Sequence, residues 1–149
     1  MNKIISTLTI LFLIMGCSYE PILSNKKENF RFNIITMEGD NTINEIIKRN
    51  LMDKKSGNKV YNIHLSSIKN KDIVSLNEKS DPTSFKLEVV ADYKVTENNV
   101  IILKNKISKE VRYNNINDKF ELSKYEDSIL KNLSEIISSE VILSIRAYK

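Results

Sequence analysis

The chain has 149 residues, a length that suits one domain with a single hydrophobic core. Its 23 basic and 19 acidic residues leave a formal net charge of +4, which fits either a solvated surface or attraction to an anionic partner such as a lipid phosphate. With one cysteine, one histidine and three glycines, the sequence excludes a disulfide framework and a glycine-rich phosphate cradle, and it argues against a metal site built from nitrogen and sulfur ligands.

Residues 1–16 have the features of a secretory signal peptide. Lys3 supplies a positive charge, and the apolar run over residues 4–15 is shorter than the roughly 20 residues that a membrane-spanning helix needs. Gly16 and Cys17 then supply the small residue and the thiol that a lipoprotein signal peptidase requires. We therefore predict that residues 1–16 are removed and that Cys17 becomes an acylated N-terminus, whose palmitate and other chains anchor the protein without spanning the bilayer. An ordinary secreted protein with an incidental cysteine is the alternative.

The segment 17–29 shows no sustained periodicity and predicts a lipid-anchored tether that leads away from the membrane. Ser18 follows the cysteine where inner-membrane lipoproteins of the enterobacterial type carry Asp, so we expect sorting to the outer membrane. Residues 30–149 then make up a single folded domain. We do not expect an exported protein of this kind to bind nucleic acid.

The folded domain opens with a predicted strand, because apolar and polar residues alternate over residues 30–34. Gly39 and the two residues after it break this strand. Residues 42–45 have the S/T-x-x-E pattern of a capping box, and apolar residues then recur at helical spacing. The pattern predicts a helix that starts at Thr42 and ends near Gly57.

A second strand is predicted over residues 61–66, which alternate again and place His64 on the wet face. The next stretch, residues 69–83, is polar and ends in Asp81-Pro82. We predict a long loop there, and loops of this length are often functional or mobile.

The clearest alternation covers residues 85–96, and a second alternating run follows over residues 101–113. Asn98 and Asn99 lie between the two runs and can adopt the positive φ angles of a tight turn. The runs therefore predict a long antiparallel hairpin, with Ile101 on the apolar face of the returning strand.

A capping pair at Asp118 and Glu121 predicts a long C-terminal helix, whose apolar residues recur every three or four positions. The resulting order is β-α-β-β-β-α. Two amphipathic helices would cover the apolar face of the strands. We therefore predict an α+β fold, a two-layer sandwich in which two helices pack on one face of a four-stranded mixed sheet.

The outward side of the long hairpin is the candidate interaction surface, since every second residue of a strand faces the same way. A basic stripe for phosphate groups would consist of Lys86, Lys94, Lys104, Lys106 and Arg112. The alternative is a neutralised wet face, on which acidic neighbours balance these basic charges. The acidic neighbours are Glu88, Asp92 and Glu110. The same face also carries three apolar residues that would suit a protein partner: Val90, Val100 and Ile102.

We do not expect an enzyme. His64 has no catalytic partner near it in the sequence, and the acidic residues are scattered without calcium-loop spacing. The sequence therefore predicts no catalytic, metal or cofactor site. Cys17, the lipid-attachment residue, is the only site residue that it assigns.

Several features of the chain follow one another in the order typical of a known family. Residues 16–22 give a Gly-Cys, aromatic, Pro, hydrophobic opening, and residues 45–51 lie in a charged amphipathic first helix. Residues 85–93 form a central strand, and a strand-to-helix junction extends from Tyr113 to Asp127. In this order the chain resembles the LptE family, the lipoprotein subunits of the outer-membrane lipopolysaccharide assembly translocon.

The resemblance implies a non-enzymatic role that needs no cofactor. The domain would plug the lumen of an LptD-type β-barrel in the cell outer membrane, help that barrel assemble, and contact lipopolysaccharide during its delivery to the cell surface. The alternative is a free-standing periplasmic lipoprotein that binds lipid or acts as an accessory to an envelope transporter.

Overall fold

The computed structural model describes residues 30–53 and 57–148, so the signal peptide, Cys17 and the tether lie outside the described residues. The elements in chain order are β1 (Phe30–Gly39), α1 (Asn41–Met52), β2 (Lys59–Leu76), β3 (Pro82–Glu97), β4 (Val100–Asn114) and α2 (Lys119–Ala147). The described residues thus follow the predicted order of strands and helices.

The described strands form a mixed sheet in the order β1-β2-β3-β4. β1 runs parallel to β2, as expected for neighbouring strands joined through a helix, and the other neighbouring pairs are antiparallel. Both helices pack on one face of the sheet, and no described element covers the other face. The predicted two-layer α+β class is confirmed.

The core lies between the helices and the sheet. Its apolar residues alternate along the strands and recur at intervals of three or four residues along the helices. Large apolar side chains with almost no exposure include Ile43, Ile47, Leu51, Ile63, Leu65, Val89, Val95, Ile137 and Val141. Burial of each such side chain stabilises the fold by about 1.5–3 kcal/mol before the entropic cost of ordering is counted.

The N-cap of α1 is Asp40, and the prediction of Thr42 was wrong. The Asp40 carboxylate accepts a hydrogen bond from the Ile43 amide at 3.1 Å, and aspartate is a stronger N-cap residue than threonine. The chain can turn into the helix at this point because Gly39 has a φ angle of +96°. At the other end, Asp53 is the C-cap, so α1 stops before Gly57.

Residues 69–83 do not form the predicted loop. β2 and β3 pair regularly as far as Ile73 opposite Phe85, and the connecting turn covers only residues 77–81. The prediction failed because β3, with its strong alternation, supplies backbone partners to β2 whatever the polarity of the β2 side chains. We call the end of the sheet near this turn the distal end.

The turn between β3 and β4 has the predicted positive φ angles, +50° at Asn98 and +67° at Asn99. A register shift after Val95 reverses the orientation of the residues that follow the turn. Ile101 therefore lies on the uncovered face and is 56% exposed, whereas Ile102 packs against the core. The sequence had assigned these two isoleucines the opposite way.

α2 is the long C-terminal helix that the sequence predicted, with 29 residues. The Asp118 carboxylate accepts hydrogen bonds from the amides of Phe120 and Glu121, at 2.8 and 3.1 Å, and so caps the helix as expected. Within residues 30–53 and 57–148, no helix has the length and apolarity that crossing a membrane would require.

Candidate functional site

The uncovered face of the sheet, here called the open face, carries the basic residues of the predicted stripe. Residues directly opposite each other on neighbouring strands point to the same side, so they form rows across the sheet. From the distal end the rows over β2, β3 and β4 are Asp72–Lys86–Arg112, Asn70–Glu88–Glu110, Ile68–Val90–Ser108, Ser66–Asp92–Lys106 and His64–Lys94–Lys104. The first and fourth rows mix opposite charges, whereas the last row has only basic side chains.

Most of the predicted stripe is neutralised by neighbouring carboxylates. Lys86 Nζ lies 3.1 Å from Asp72 Oδ2 and 3.9 Å from Glu110 Oε2. The hydrogen bond to Asp72 and the attraction of its charge raise the pKa of Lys86. Arg112 lies 4.0 Å from Glu110, and Lys106 lies 4.0 Å from a carboxylate of β3. Three of the five basic residues therefore match the interpretation of a neutralised wet face.

Glu88 is held within the same surface by neutral donors. Its carboxylate accepts hydrogen bonds from the Ser108 hydroxyl at 2.6 Å and from the Asn70 side chain at 3.2 Å. These two bonds, with the one from Ser108 the stronger cause, lower the pKa of Glu88. The centre of the open face therefore carries a fixed negative charge.

The row furthest from the distal turn differs from the others. Lys94 on β3 lies directly opposite Lys104 on β4, and no ion pair joins either ammonium group to a carboxylate of the described residues. Like charges that face each other across a ladder destabilise it. His64 extends the row on β2, where its Nε2 lies 3.9 Å from Glu38 Oε1. An anionic group bound between the two lysines would relieve their repulsion.

The apolar residues of the open face are only partly those that the sequence indicated. Val90 faces outward but is only 7% exposed, and Ile102 belongs to the core side. Val100 is exposed, but it pairs with Glu97 and so points to the opposite side from Ile101, not to the open face as predicted. Ile68 and Ile101 are both more than half exposed on the open face. These two side chains therefore offer apolar contacts on this face.

The arrangement offers binding groups at fixed positions. Within the described ranges, no cluster of three or more His, Cys, Asp or Glu side chains could hold a metal ion. His64 lies opposite Lys94, and its Nε2 faces the Glu38 carboxylate. Cys17, the predicted lipid-attachment residue, lies outside the described residues.

A cluster that the sequence analysis missed lies at the distal end, on the helix-covered face. Lys71 Nζ and Tyr113 OH both contact Glu126 Oε1, at 2.6 and 2.8 Å. Lys71 Nζ also lies 4.4 Å from the centre of the Phe85 ring, and Tyr113 meets Tyr125 edge to face. Burial, together with the hydrogen bond to Glu126, raises the pKa of Tyr113. The cluster fastens the distal part of β2 to α2.

Comparison with known proteins finds similarity in the fold. No family model matches the chain, and no curated protein matches its sequence. Rare lipoprotein B from Shewanella oneidensis aligns with a TM-score of 0.60 at 12% identity, over 77% of this chain and 95% of that one. Lipoprotein B from Nitrosomonas europaea gives a TM-score of 0.60 at 14% identity, over 83% and 89%. A minor lipoprotein from Acinetobacter baumannii gives 0.54 at 11% identity, over 80% and 92%. The chain shares the fold of these proteins.

Proposed function

We propose that this chain is a lipoprotein of the bacterial envelope, anchored in the outer membrane through Cys17, and that it works as a binding subunit and not as an enzyme. The observation that carries the proposal is the shared fold, because the solved structures that have it are named as lipoproteins. The Gly16-Cys17 pattern at the end of an apolar leader supports the same conclusion independently.

The partner that we propose is an LptD-type β-barrel, which the resemblance to the LptE family indicates. The domain would lie in the barrel lumen and help the barrel assemble. A plug must keep its shape, and two polar contacts between elements support rigidity here. Asn50 of α1 donates to Ser138 of α2 at 3.1 Å, and the hydroxyls of Tyr93 on β3 and Ser144 on α2 lie 2.5 Å apart.

The Lys94–Lys104 pair supports contact with lipopolysaccharide as the lipid ligand. A phosphate group of that lipid would bind to both ammonium groups and offset their mutual repulsion. Ile101 is exposed on β4 in the row next to the Lys94–Lys104 pair, and it would lie against apolar parts of the same lipid. The two features together match an amphiphilic anion.

Lipopolysaccharide binding by matched variants tests this contact. The double variant Lys94→Gln/Lys104→Gln and the control Lys86→Gln/Lys106→Gln each remove two positive charges. The first should weaken binding at low ionic strength by about ten-fold or more, while the control should weaken it by less than about three-fold, since its lysines already face carboxylates. Equal losses would assign the binding to net charge, and unchanged binding of the first variant would exclude the pair.

Depletion of the protein from cells tests its role in barrel assembly. The amount of folded LptD-type barrel in the outer membrane should fall several-fold and recover when the wild-type protein is restored. A Cys17→Ala variant, which cannot be acylated, should restore less of it. Unchanged barrel levels would contradict the plug role and favour the alternative, a free-standing lipoprotein that binds lipid through the Lys94–Lys104 surface.

A further inference from the structure

Among the described residues, β2 has a free edge beyond the end of β1. The two strands pair in parallel as far as Gly39 opposite Ser67, where the chain turns into α1. From Ile68 onward, no strand of the described residues pairs with β2 on that side. The backbone N–H and C=O groups that point away from β3 are therefore open to another strand.

The free edge is regular over a length that accommodates a strand. Pairing with β3 continues without a register shift over residues 68–73, close to the roughly 5–6 residues of a common strand. Ile68 points to the open face and Ile73 to the opposite face, and they are 52% and 57% exposed. An added strand would cover part of both side chains.

The charged side chains that could block strand addition are drawn into the fold. Exposed strand edges are commonly protected by charged residues, especially lysine. Here Lys69 Nζ lies 3.9 Å from Asp40 Oδ2 at the end of β1. Lys71 Nζ lies 2.6 Å from Glu126 on α2, and Asp72 pairs with a lysine of β3. All three charges of the free edge are thus directed to intramolecular partners.

The free edge lies far from the point where the tether joins the domain. β1 enters the sheet at Phe30, beside Lys59 at the start of β2. β2 has 18 residues and so spans roughly 60 Å at about 3.3 Å per residue. Residues 68–73 belong to its second half. A partner that surrounds the domain would therefore reach this edge away from the anchored end.

We propose that the barrel partner pairs with this protein along the free edge. One extended segment of the barrel protein would occupy the sheet position that β1 leaves at Gly39 and form a backbone ladder with residues 68–73. Apolar side chains of that segment would pack against Ile68 and Ile73. This inference rests on the proposed function, because it takes the LptD-type barrel as the partner.

Hydrogen exchange in the purified full-length complex tests the strand pairing directly. Every second amide over residues 68–73 points away from β3 and should exchange rapidly in the free protein. In the complex these amides should slow by about 100-fold or more, an alternating pattern that side-chain contacts alone would not produce.

The result also separates this inference from the proposed function. If the barrel is present in equal amount and the edge amides exchange as in the free protein, the pairing is refuted while the plug role stands. If no barrel is recovered, both fail.

Proline variants give a second test. Lys69→Pro and Asn70→Pro remove the N–H groups of two successive residues, of which one points to β3 and the other to the free edge. The variant that loses an N–H pointing to the free edge keeps its ladder with β3, so it should keep the wild-type melting temperature and can be identified in this way. It should recover at least about ten-fold less barrel than the alanine variant at the same position. Equal recovery would overturn the proposal.

Discussion

Gly39 is the residue at which β1 ends and the chain turns into α1, and replacing it with alanine should disturb both elements. Its φ angle is +96°, and a Cβ atom added there would lie 1.9 Å from the Ser67 carbonyl oxygen. The same carbonyl accepts a hydrogen bond from the Asp40 amide at 3.2 Å, and the Ser67 hydroxyl donates to Asn44 at 2.8 Å. Relief of the clash therefore requires movement of the β1–β2 ladder and of these polar contacts.

The size of the effect follows from these contacts. A non-glycine residue in such a backbone conformation costs about 1–3 kcal/mol, and one weakened hydrogen bond costs about 1 kcal/mol more. Gly39→Ala should thus lower the free energy of unfolding by about 2–4 kcal/mol. Urea unfolding followed by far-ultraviolet circular dichroism should show a midpoint lower by roughly 1–2 M, for a slope of about 2 kcal/mol per molar.

Thr36→Ala on the same strand is the matched control. Thr36 is exposed opposite His64, so its replacement should change the free energy of unfolding by less than about 0.5 kcal/mol. A Gly39→Ala protein that unfolds within about 0.5 kcal/mol of the wild type would refute the reasoning on the β1–α1 turn.

Further perturbations address the core, the distal cluster and the lysine pair. Ile47→Ala should cost about 2–5 kcal/mol in urea unfolding because Ile47 is fully buried, and exposed Ile136→Ala should cost less than about 1 kcal/mol; equal costs would contradict the core assignment. The raised pKa of Tyr113 favours its neutral form in the folded state, so stability should fall as pH rises above the ordinary pKa of 10.0. The melting temperature of Tyr113→Phe should therefore fall less above this pH than that of the wild type. An identical pH profile for the two proteins would contradict this role of Tyr113. Lys104→Gln should raise the melting temperature at low salt but not at about 1 M salt, where repulsion by Lys94 is screened, and a decrease at low salt would contradict this.

Sequence patterns predicted the elements whose signals are local. The cap at Asp118, the helical spacing of α2 and the Asn98-Asn99 turn all act within a few residues of one another, and the structure has them as expected. The N-cap of α1 was misplaced because the turn at Gly39 depends on the approach of β1 to Ser67, which is remote in sequence. Contacts of that kind leave no periodicity to recognise.

The length of β2 and the orientation of Ile101 could not be predicted for a related reason. A strand with polar side chains persists where a neighbouring strand supplies hydrogen bonds, and residues 69–73 pair with β3 without interruption. One register shift after Val95 then exchanges the faces of Ile101 and Ile102. Alternation indicates two faces, but it does not locate a bulge.

The sequence could predict which side of the sheet carries the candidate site, but it could not predict which side chains contact one another there. Alternation along β3 placed Lys86 and Lys94 on the outward side, where the structure has them. Which lysine meets a carboxylate depends on the register of three strands, and this register leaves Lys94 opposite Lys104. The link between Lys71 and Glu126 joins β2 to α2 across 55 residues of sequence and has no local signal.

We propose that this protein is a lipid-anchored subunit of an outer-membrane barrel. Affinity purification of the tagged, acylated protein from detergent-solubilised envelopes, followed by identification and quantification of the proteins recovered with it, tests the claim most directly. The account predicts one large LptD-type β-barrel protein in equal amount. Recovery of the lipoprotein alone, or together with an inner-membrane transporter, would contradict it.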